Sequence, residues 1–295
     1  MKSGYIAVIG RANAGKSTLI NVLVGEKVAI VSPKPQTTRE RILGILNGDN
    51  YQMVFVDTPG FYKADNMLNS VMQKVAEDSA KDVDAVLFVL DAHEGLSDQD
   101  KAFAEKFAKT GVPFVLALTK TDIMTESLLI SELKEFGNCD FPVVPVSARK
   151  KKNIKELLKV LAEKLPESEK IFSDDVVSDR SERFMVGEIM REKILLKFDK
   201  EIPHGVAIII NEFKLRPDKK VYDVNLDIVC EKDNHKAILI GRGGRAIKEV
   251  SSFARQDMEK FLNKKVFLTT YIKVKEDWRN SSKLLKEYGY FENEF

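Results

Sequence analysis

The stretch "VIGRANAGKSTLINVL", Val8 to Leu23, decides how the amino-terminal half of this chain folds. Gly10 to Ser17 fits the spacing G-x-x-x-x-G-K-[ST], with an apolar run ahead of it and helical spacing behind. Glycines in such a turn let successive backbone N–H groups point inward, and the positive end of the following helix adds its dipole. Gly10, Arg11, Ala12, Asn13, Ala14 and Gly15, continuing into Lys16, Ser17 and Thr18, are therefore expected to cradle phosphates. Lys16 would place a point charge on the β- and γ-phosphates, and the Ser17 hydroxyl would ligate Mg2+.

Working outward, short apolar runs alternate with helical ones. Strands are expected at 4–10, 51–57, 85–91, 113–120 and 142–148, and helices at 16–25, 98–111 and 153–166. That alternation predicts an α/β domain, a mostly parallel sheet with helices on both faces, whose ligands bind at the carboxyl ends of the strands. After Pro166 a polar segment, 167–179, reads as a linker. The pattern then changes to helix (180–198), strands (205–213 and 221–231), helix (245–262) and strand (265–274), an α+β plan. The expected domain limits are 1–168 and 181–295, with 169–180 between them.

Composition supports two globular domains. The chain has 295 residues, 44% of them hydrophobic and 31% charged, with a net charge of +2. Residues 1–170 carry 23 basic and 23 acidic side chains and the remainder 24 and 22, so any nucleic-acid signal must be local. Cys139 and Cys230 match no metal-ligand spacing and read as idle thiols of a reducing cytosol; the three histidines are equally scattered. No apolar run approaches the ~18 residues that a membrane span needs, and the expected location is cytoplasmic.

Three further segments choose the nucleotide. "DTPG", Asp57, Thr58, Pro59 and Gly60, ends the 51–57 strand; Asp57 would hold Mg2+ through water, and the Gly60 N–H would sense a γ-phosphate. "TKTD", Thr119, Lys120, Thr121 and Asp122, ends the 113–120 strand. The Asp122 carboxylate can accept two N–H donors from guanine while the Lys120 stem lies along the ring; adenine lacks that donor pair. "SAR", Ser147, Ala148 and Arg149, would offer the Ala148 N–H to the guanine oxygen. Four short motifs in this order, each at a strand's end, point to GTP and GDP.

With these motifs the sequence resembles the G-domain GTPases, and "QTTR" (36–39) looks like their first switch. Thr37 or Thr38 would then supply a hydroxyl to Mg2+, Thr38 being the better match. Two departures stand out. Thr119 replaces the usual asparagine of the guanine motif, which puts nucleotide affinity in question. Phe61 stands where Ras-like enzymes carry a water-orienting glutamine, and a phenyl ring cannot make that hydrogen bond. Slow hydrolysis is implied. In several relatives a K+ ion held by a phosphate-loop asparagine supplies charge, which matches Asn13; the alternative is an ordinary turn residue tolerant of left-handed angles. The catalytic candidates are Asn13, Lys16, Thr38 and Gly60.

In the second domain, "ILIGRGGRAIKEV" (238–250) holds G-x-x-G at Gly241 to Gly244, expected to follow a strand-like run and precede a helix. Segment 235–248 has four basic residues and no acidic one. Such a turn approaches a single-stranded sugar–phosphate chain closely, the clamp of KH domains. Ile240, Gly241, Arg242, Gly243, Gly244, Arg245, Ile247 and Lys248 are the RNA-binding candidates. A simple turn between helices is the bland alternative. The tail 276–291 is expected to be an amphipathic helix carrying Trp278, Leu284, Leu285 and Tyr288, packed on this domain or over bound RNA, with membrane attachment as the alternative.

A G domain joined to a type II KH domain is similar to the Era family of bacterial GTPases, in the TrmE–Era–EngA–Septin-like class. "QTTRERI" (36–42), "DTPGF" (57–61), "DRSERF" (179–184), "EIMREKIL" (188–195) and "LIGRGGRAIK" (239–248) carry the resemblance. It implies GTP-dependent binding of the 3′ end of 16S rRNA during assembly of the 30S subunit, a monomeric state and peripheral association with the inner membrane. Two other readings remain open: an RNA-binding adaptor with a weak GTPase, and a membrane-associated signalling switch coupled to the cell cycle.

Overall fold

The computed structural model describes residues 1–60, 65–79, 81–97, 100, 111–137, 139–217 and 220–290. The helix expected over 98–111 lies outside them apart from Asp100 and Gly111. The chain divides into two compact units. One holds Met1–Ala29, Thr38–Tyr62 and Met72–Asp179; the other holds Ile30–Thr37, Lys63–Val71 and Arg180–Phe295.

In the first unit six strands form one sheet: β1 (Lys2–Ile9), β2 (Ile42–Asn47), β3 (Tyr51–Asp57), β4 (Ala85–Asp91), β5 (Phe114–Thr119) and β6 (Val143–Pro145). Their order is β2-β3-β1-β4-β5-β6; only β2 runs antiparallel to its neighbour. The interior strands are apolar throughout because both faces are covered. Ile6 and Val8 of β1 join Phe55, Leu87 and Val89 in a core closed by Leu19, Ile20 and Leu23 of α1 (Lys16–Val24). The intervening Ala7 and Ile9 face the opposite core with Phe88 and Leu90. Helices α2 (Met67–Asp78), α3 (Glu126–Glu135) and α4 (Ile154–Lys164) follow; Leu133 of α3 packs on the second of these cores and Leu157 and Leu161 of α4 on the first.

Strand β2 and the segment after α4 depart from the expected plan. β2 was not foreseen. It lies at the sheet's edge, and residues 167–179, polar enough to read as a linker, lie along it. The Ile45 N–H donates to the Val177 carbonyl at 2.9 Å, and the Leu43 N–H to Asp179 Oδ1 at 2.9 Å. Buried Gln52 accepts from the N–H groups of Ile171 (2.7 Å) and Phe172 (2.9 Å), and Phe172 and Val176 pack on Leu43, Ile45 and Val54. An edge whose polar groups are taken up in this way is protected from pairing with other chains.

The second unit carries a three-stranded sheet, β7 (Ala207–Arg216) antiparallel to β8 (Val221–Cys230) and β8 parallel to β9 (Lys265–Val274). Alternate β8 residues Val224, Leu226, Ile228 and Cys230 face a core made with two helices. Helix α5 (Glu182–Lys197) brings Val186, Ile189, Met190 and Ile194; α7 (Arg245–Leu262) brings Val250, Ala254, Met258 and Leu262, a strict four-residue repeat along one face. Between β8 and α7 lies α6 (Asp233–Ile240), so the run 238–240 ends a helix and is not a strand. His235 and Leu239, four apart, are its buried residues. The plan is thus helix–strand–strand–helix–helix–strand.

The tail is also shorter in pieces than expected. A single turn at Trp278–Asn280 ends at Ser281, whose hydroxyl caps α8 (Ser282–Glu287). Trp278 is fully buried, donates Nε1–H to the Gly205 carbonyl at 3.0 Å and stacks 5.9 Å from Tyr290; Leu285 is buried beside it. The tail therefore packs on its own domain. Cys139 is exposed and Cys230 buried, both free thiols, and among the described residues no helix is long and apolar enough to cross a membrane.

Candidate functional site

Parallel pairing sets the first site. β1 and β3 run in register with Val8 opposite Asp57, so the turn after β1 and the "DTPG" turn leave the sheet side by side. The phosphate turn needs glycine at its start: a Cβ on Gly10 would lie 2.2 Å from the Val89 carbonyl oxygen. Asn13 has φ 62° and is exposed, Ala14 is buried, and Gly15 leads into α1. The left-handed angle at Asn13 is the backbone role that its side chain tolerates. Thr18 is half-buried on the first turn of α1.

Lys16 is buried and donates from Nζ to the carbonyls of Gly10 (2.9 Å) and Arg11 (2.9 Å). Its ammonium thus sits inside the turn where phosphate oxygens are expected. Burial lowers its pKa to about 8, opposed by the charge of Asp57. Asp57 is fully buried, and burial pushes its pKa up to about 6 against the pull of Lys16, Ser17 and Thr38. Desolvation exceeds mutual attraction for both groups.

Asp57 Oδ2 accepts from Ser17 Oγ (2.9 Å) and Thr38 Oγ1 (3.1 Å), and these two hydroxyls are 2.9 Å apart. Its other oxygen, Oδ1, is buried with no hydrogen-bond partner among the described residues. Three converging oxygens and an orphaned carboxylate atom suit a small hard cation. Thr37 stands apart, its hydroxyl donating to the Lys34 carbonyl at 2.6 Å. Thr58 Oγ1 donates to the Val8 carbonyl at 3.1 Å, Pro59 is buried, and a Cβ on buried Gly60 would lie 3.1 Å from the Ala12 N. Phe61 is outside the described residues.

The base-reading group forms at the ends of β5 and β6. Asp122 is exposed, and its Oδ1 accepts from Oγ of fully buried Ser147 at 2.6 Å. Thr121 is buried, Ala148 half-buried and Arg149 exposed. Lys120, at φ 58°, pairs with Asp91 Oδ2 at 2.6 Å. Thr119 answers the first departure: its single hydroxyl proton lies within reach of the Ala14 carbonyl (2.6 Å) and the Leu90 carbonyl (3.0 Å). A hydroxyl therefore braces the phosphate loop where an amide was expected.

Sequence reasoning missed Asp91 and Asp100. Asp91 ends the run "AVLFVLD" just as Asp57 ends β3, and that shared position was the available signal. Asp100 pairs with Arg11 Nε at 3.1 Å, and Arg11 also donates to the Gly95 carbonyl at 2.7 Å, so the phosphate loop is held by the segment after β4.

The second site is the turn between α6 and α7. Gly241 has φ 70°, and a Cβ there would lie 2.6 Å from the Ala246 Cβ. Gly243 and Gly244 also have positive φ. Arg242, Arg245 and Lys248 are exposed; Ile240 and Ile247 are half-buried and Ile238 is 49% exposed. The turn does join two helices, and it carries a basic rim beside apolar side chains.

The family described as "50S ribosome-binding GTPase" matches residues 5–120, and the family described as "KH domain" matches residues 201–279. GTPase Era of Clostridium kluyveri is 44% identical over 292 residues, covering 98% of this chain and 99% of that protein. GTPase Era of Alkaliphilus metalliredigens is 44% identical over 291 residues, with 98% and 99% covered. Two solved structures superpose with TM-score 0.93, each covering 98% of this chain and 99% of its own. One is an Aquifex aeolicus Era variant bound to GDP·AlF4−, 35% identical; the other is Era with MgGDPNP and nucleotides 1506–1542 of 16S ribosomal RNA, 36% identical.

Replacing Thr119 by valine keeps the shape and removes the loop brace. Affinity for GTP and for GDP should fall alike, by roughly five- to tenfold, and Thr119→Ser should restore most of it. Titration with fluorescent nucleotides measures both, and unchanged affinity in the valine variant would contradict the brace.

Proposed function

The chain belongs to the GTPase Era family, GTPases with a G domain followed by a KH domain, and from that premise we propose that it binds the 3′ end of 16S rRNA in a GTP-dependent manner during assembly of the small ribosomal subunit. The observation that carries this reading is the glycine turn with exposed Arg242, Arg245 and Lys248, and no acidic residue from 235 to 248, in a chain that also carries a guanine site. The Era complex holding both MgGDPNP and a 16S rRNA fragment supports it at 36% identity.

At the nucleotide, Lys16 exchanges the carbonyls of Gly10 and Arg11 for phosphate oxygens, and the loop N–H groups from Asn13 to Thr18 surround the rest. Ser17, Thr38 and Asp57 would hold Mg2+, which when bound would neutralise charge on the phosphate oxygens. The Gly60 N–H senses the γ-phosphate. Asp122 accepts from guanine, oriented by Ser147, while Lys120 lies along the ring, held by Asp91. GTP orders the loops carrying Thr38 and Gly60, and RNA binding and hydrolysis are reciprocally coupled. RNA threads over Gly241 to Gly244, with Arg242, Arg245 and Lys248 on phosphates and bases near Ile240 and Ile247.

The RNA reading is tested with Gly243→Asp. Gly243 has φ 59° and open space at its Cβ position, and Asp tolerates left-handed angles, so the fold should survive. Affinity for an RNA of the 16S 3′ end should drop by about tenfold or more with a shallower salt slope, read by fluorescence anisotropy. An unchanged slope and affinity would remove the clamp. RNA affinity that is equal with GDP and a GTP analogue would remove the coupling.

For hydrolysis, Asn13 would hold a K+ ion, which would supply positive charge that Phe61 cannot replace by ordering water. Turnover should be faster in KCl than in NaCl at one ionic strength, and Asn13→Ala should lose the difference. Equal wild-type rates in the two salts would sink this role.

A further inference from the structure

The turn after β6, which carries Ser147 and Ala148 of the base-reading group, continues into a run of positive charge. Residues 141–155 hold five basic side chains and no acidic one. That is the signature that marks 235–248 in the second unit, and here it lies wholly within the first. Arg149, Lys150, Lys151, Lys152 and Lys155 are all exposed, and so is Lys159, one helical turn beyond Lys155 on α4. Among the described residues none of the six is in an ion pair. In the same unit Lys81 pairs with Asp78 at 2.7 Å and Lys120 with Asp91 at 2.6 Å.

The run is held in a fixed shape. Ser147 and Lys152 exchange main-chain hydrogen bonds of 3.0 and 3.2 Å, and the Lys151 N–H donates to the Ala148 carbonyl at 3.3 Å. The Lys150 N–H donates to Ser147 Oγ at 3.1 Å, and Asn153 Nδ2 ties the exit of the turn to the Pro145 carbonyl at 2.8 Å. Four consecutive cations therefore leave one tight turn, with neighbouring Cα atoms about 3.8 Å apart. Lys151 does so at φ 52°, a left-handed angle that glycine adopts freely and lysine only at a cost. On α4, Leu157 and Leu161 are buried, so Lys155 and Lys159 extend the patch along the opposite, exposed side. The acids Glu156 and Glu163 border it there.

Adjacent unpaired cations repel one another, and a row of phosphates relieves that repulsion while releasing its own counterions. Residues 142–171 contain no aromatic side chain, so the patch offers charge without a platform on which bases could stack. That combination fits double-stranded RNA, which displays its phosphates and keeps its bases stacked inside. We propose that the first unit carries an RNA surface of its own, Arg149 to Lys152 with Lys155 and Lys159, which grips the backbone of duplex RNA without reading sequence. The choice of RNA among polyanions rests on the proposed function; the surface itself does not involve the glycine turn of the second unit.

The experiment uses the full chain and two probes: a single strand of about ten nucleotides from the 16S 3′ end, and a blunt RNA duplex of about 20 base pairs and arbitrary sequence. Lys150→Gln, Lys151→Asn and Lys152→Gln are combined, asparagine being tolerant of the left-handed angle. Melting temperature and GTP affinity should stay as in the wild type. The combined variant should weaken the duplex about tenfold or more near 0.1 M salt, and leave the single strand within about twofold. Its slope of log affinity against log salt should shrink by roughly 2 to 3, for three phosphate contacts at about 0.9 each. Gly243→Asp should do the reverse, weakening the single strand and sparing the duplex. If the combined variant melts early, Lys155→Gln with Lys159→Gln stands in, with a slope change of roughly 2. A duplex that does not bind, or binds the variant with unchanged affinity and slope, would overturn the surface. So would an unchanged duplex beside lost binding to phosphatidylglycerol vesicles, which would make the patch a membrane contact. If Gly243→Asp weakens neither probe while the combined variant weakens the duplex, the clamp of the proposed function fails and the surface stands.

Discussion

The pairing of β1 with β3 is the constraint on which the nucleotide site depends. It sets Val8 beside Asp57 and buries a carboxylate next to a buried lysine. Such a pair is poorly compensated by its own attraction, and the two pKa values, about 6 for Asp57 and about 8 for Lys16, have each moved toward neutrality. A site of this kind is built for a charged occupant. In the proposed function phosphates would complete Lys16 and a cation would complete Asp57, so ligand binding would offset the desolvation of both groups.

The supports around that pair are hydrogen bonds from outside the phosphate turn. Thr119 braces Ala14, Arg11 is tied to Gly95 and Asp100, and Asp91 holds Lys120. Each joins the end of one strand to the end of another, which is how a parallel sheet concentrates rigidity at its carboxyl edge. The second unit works differently. Its glycine turn is tightly packed only at Gly241, against Ala246, and open at Gly243 and Gly244, and α5 and α7 pack on one face of its sheet.

Much of this was legible from residues alone. The interior strands announce themselves as short apolar runs ended by Asp57, Asp91 or Thr119, because a strand covered on both faces has no polar side to interrupt it. What escaped was non-local. β2, "ILGILN", is an edge strand interrupted by Gly44; it pairs with neighbouring β3, while its outer edge is covered by Val177 and Asp179, far along the chain. The segment 167–179 is polar, and nothing in its composition reveals backbone bonds to β2. Helix α6 ends in four apolar residues, Ala237 to Ile240, that mimic a strand, while its helical period shows only in His235 and Leu239. Asp91 pairs with Lys120, 29 residues away, and no spacing rule exposes such a pair.

In the proposed function Asp122 reads guanine. Xanthine carries a carbonyl where guanine carries its amino group, so an amide in place of the carboxylate inverts the preference. In Asp122→Asn, measured by nucleotide competition in the full chain, GTP affinity should fall by at least about 100-fold and XTP affinity should rise above that of the wild type. Retained GTP affinity with no gain for XTP would contradict the account.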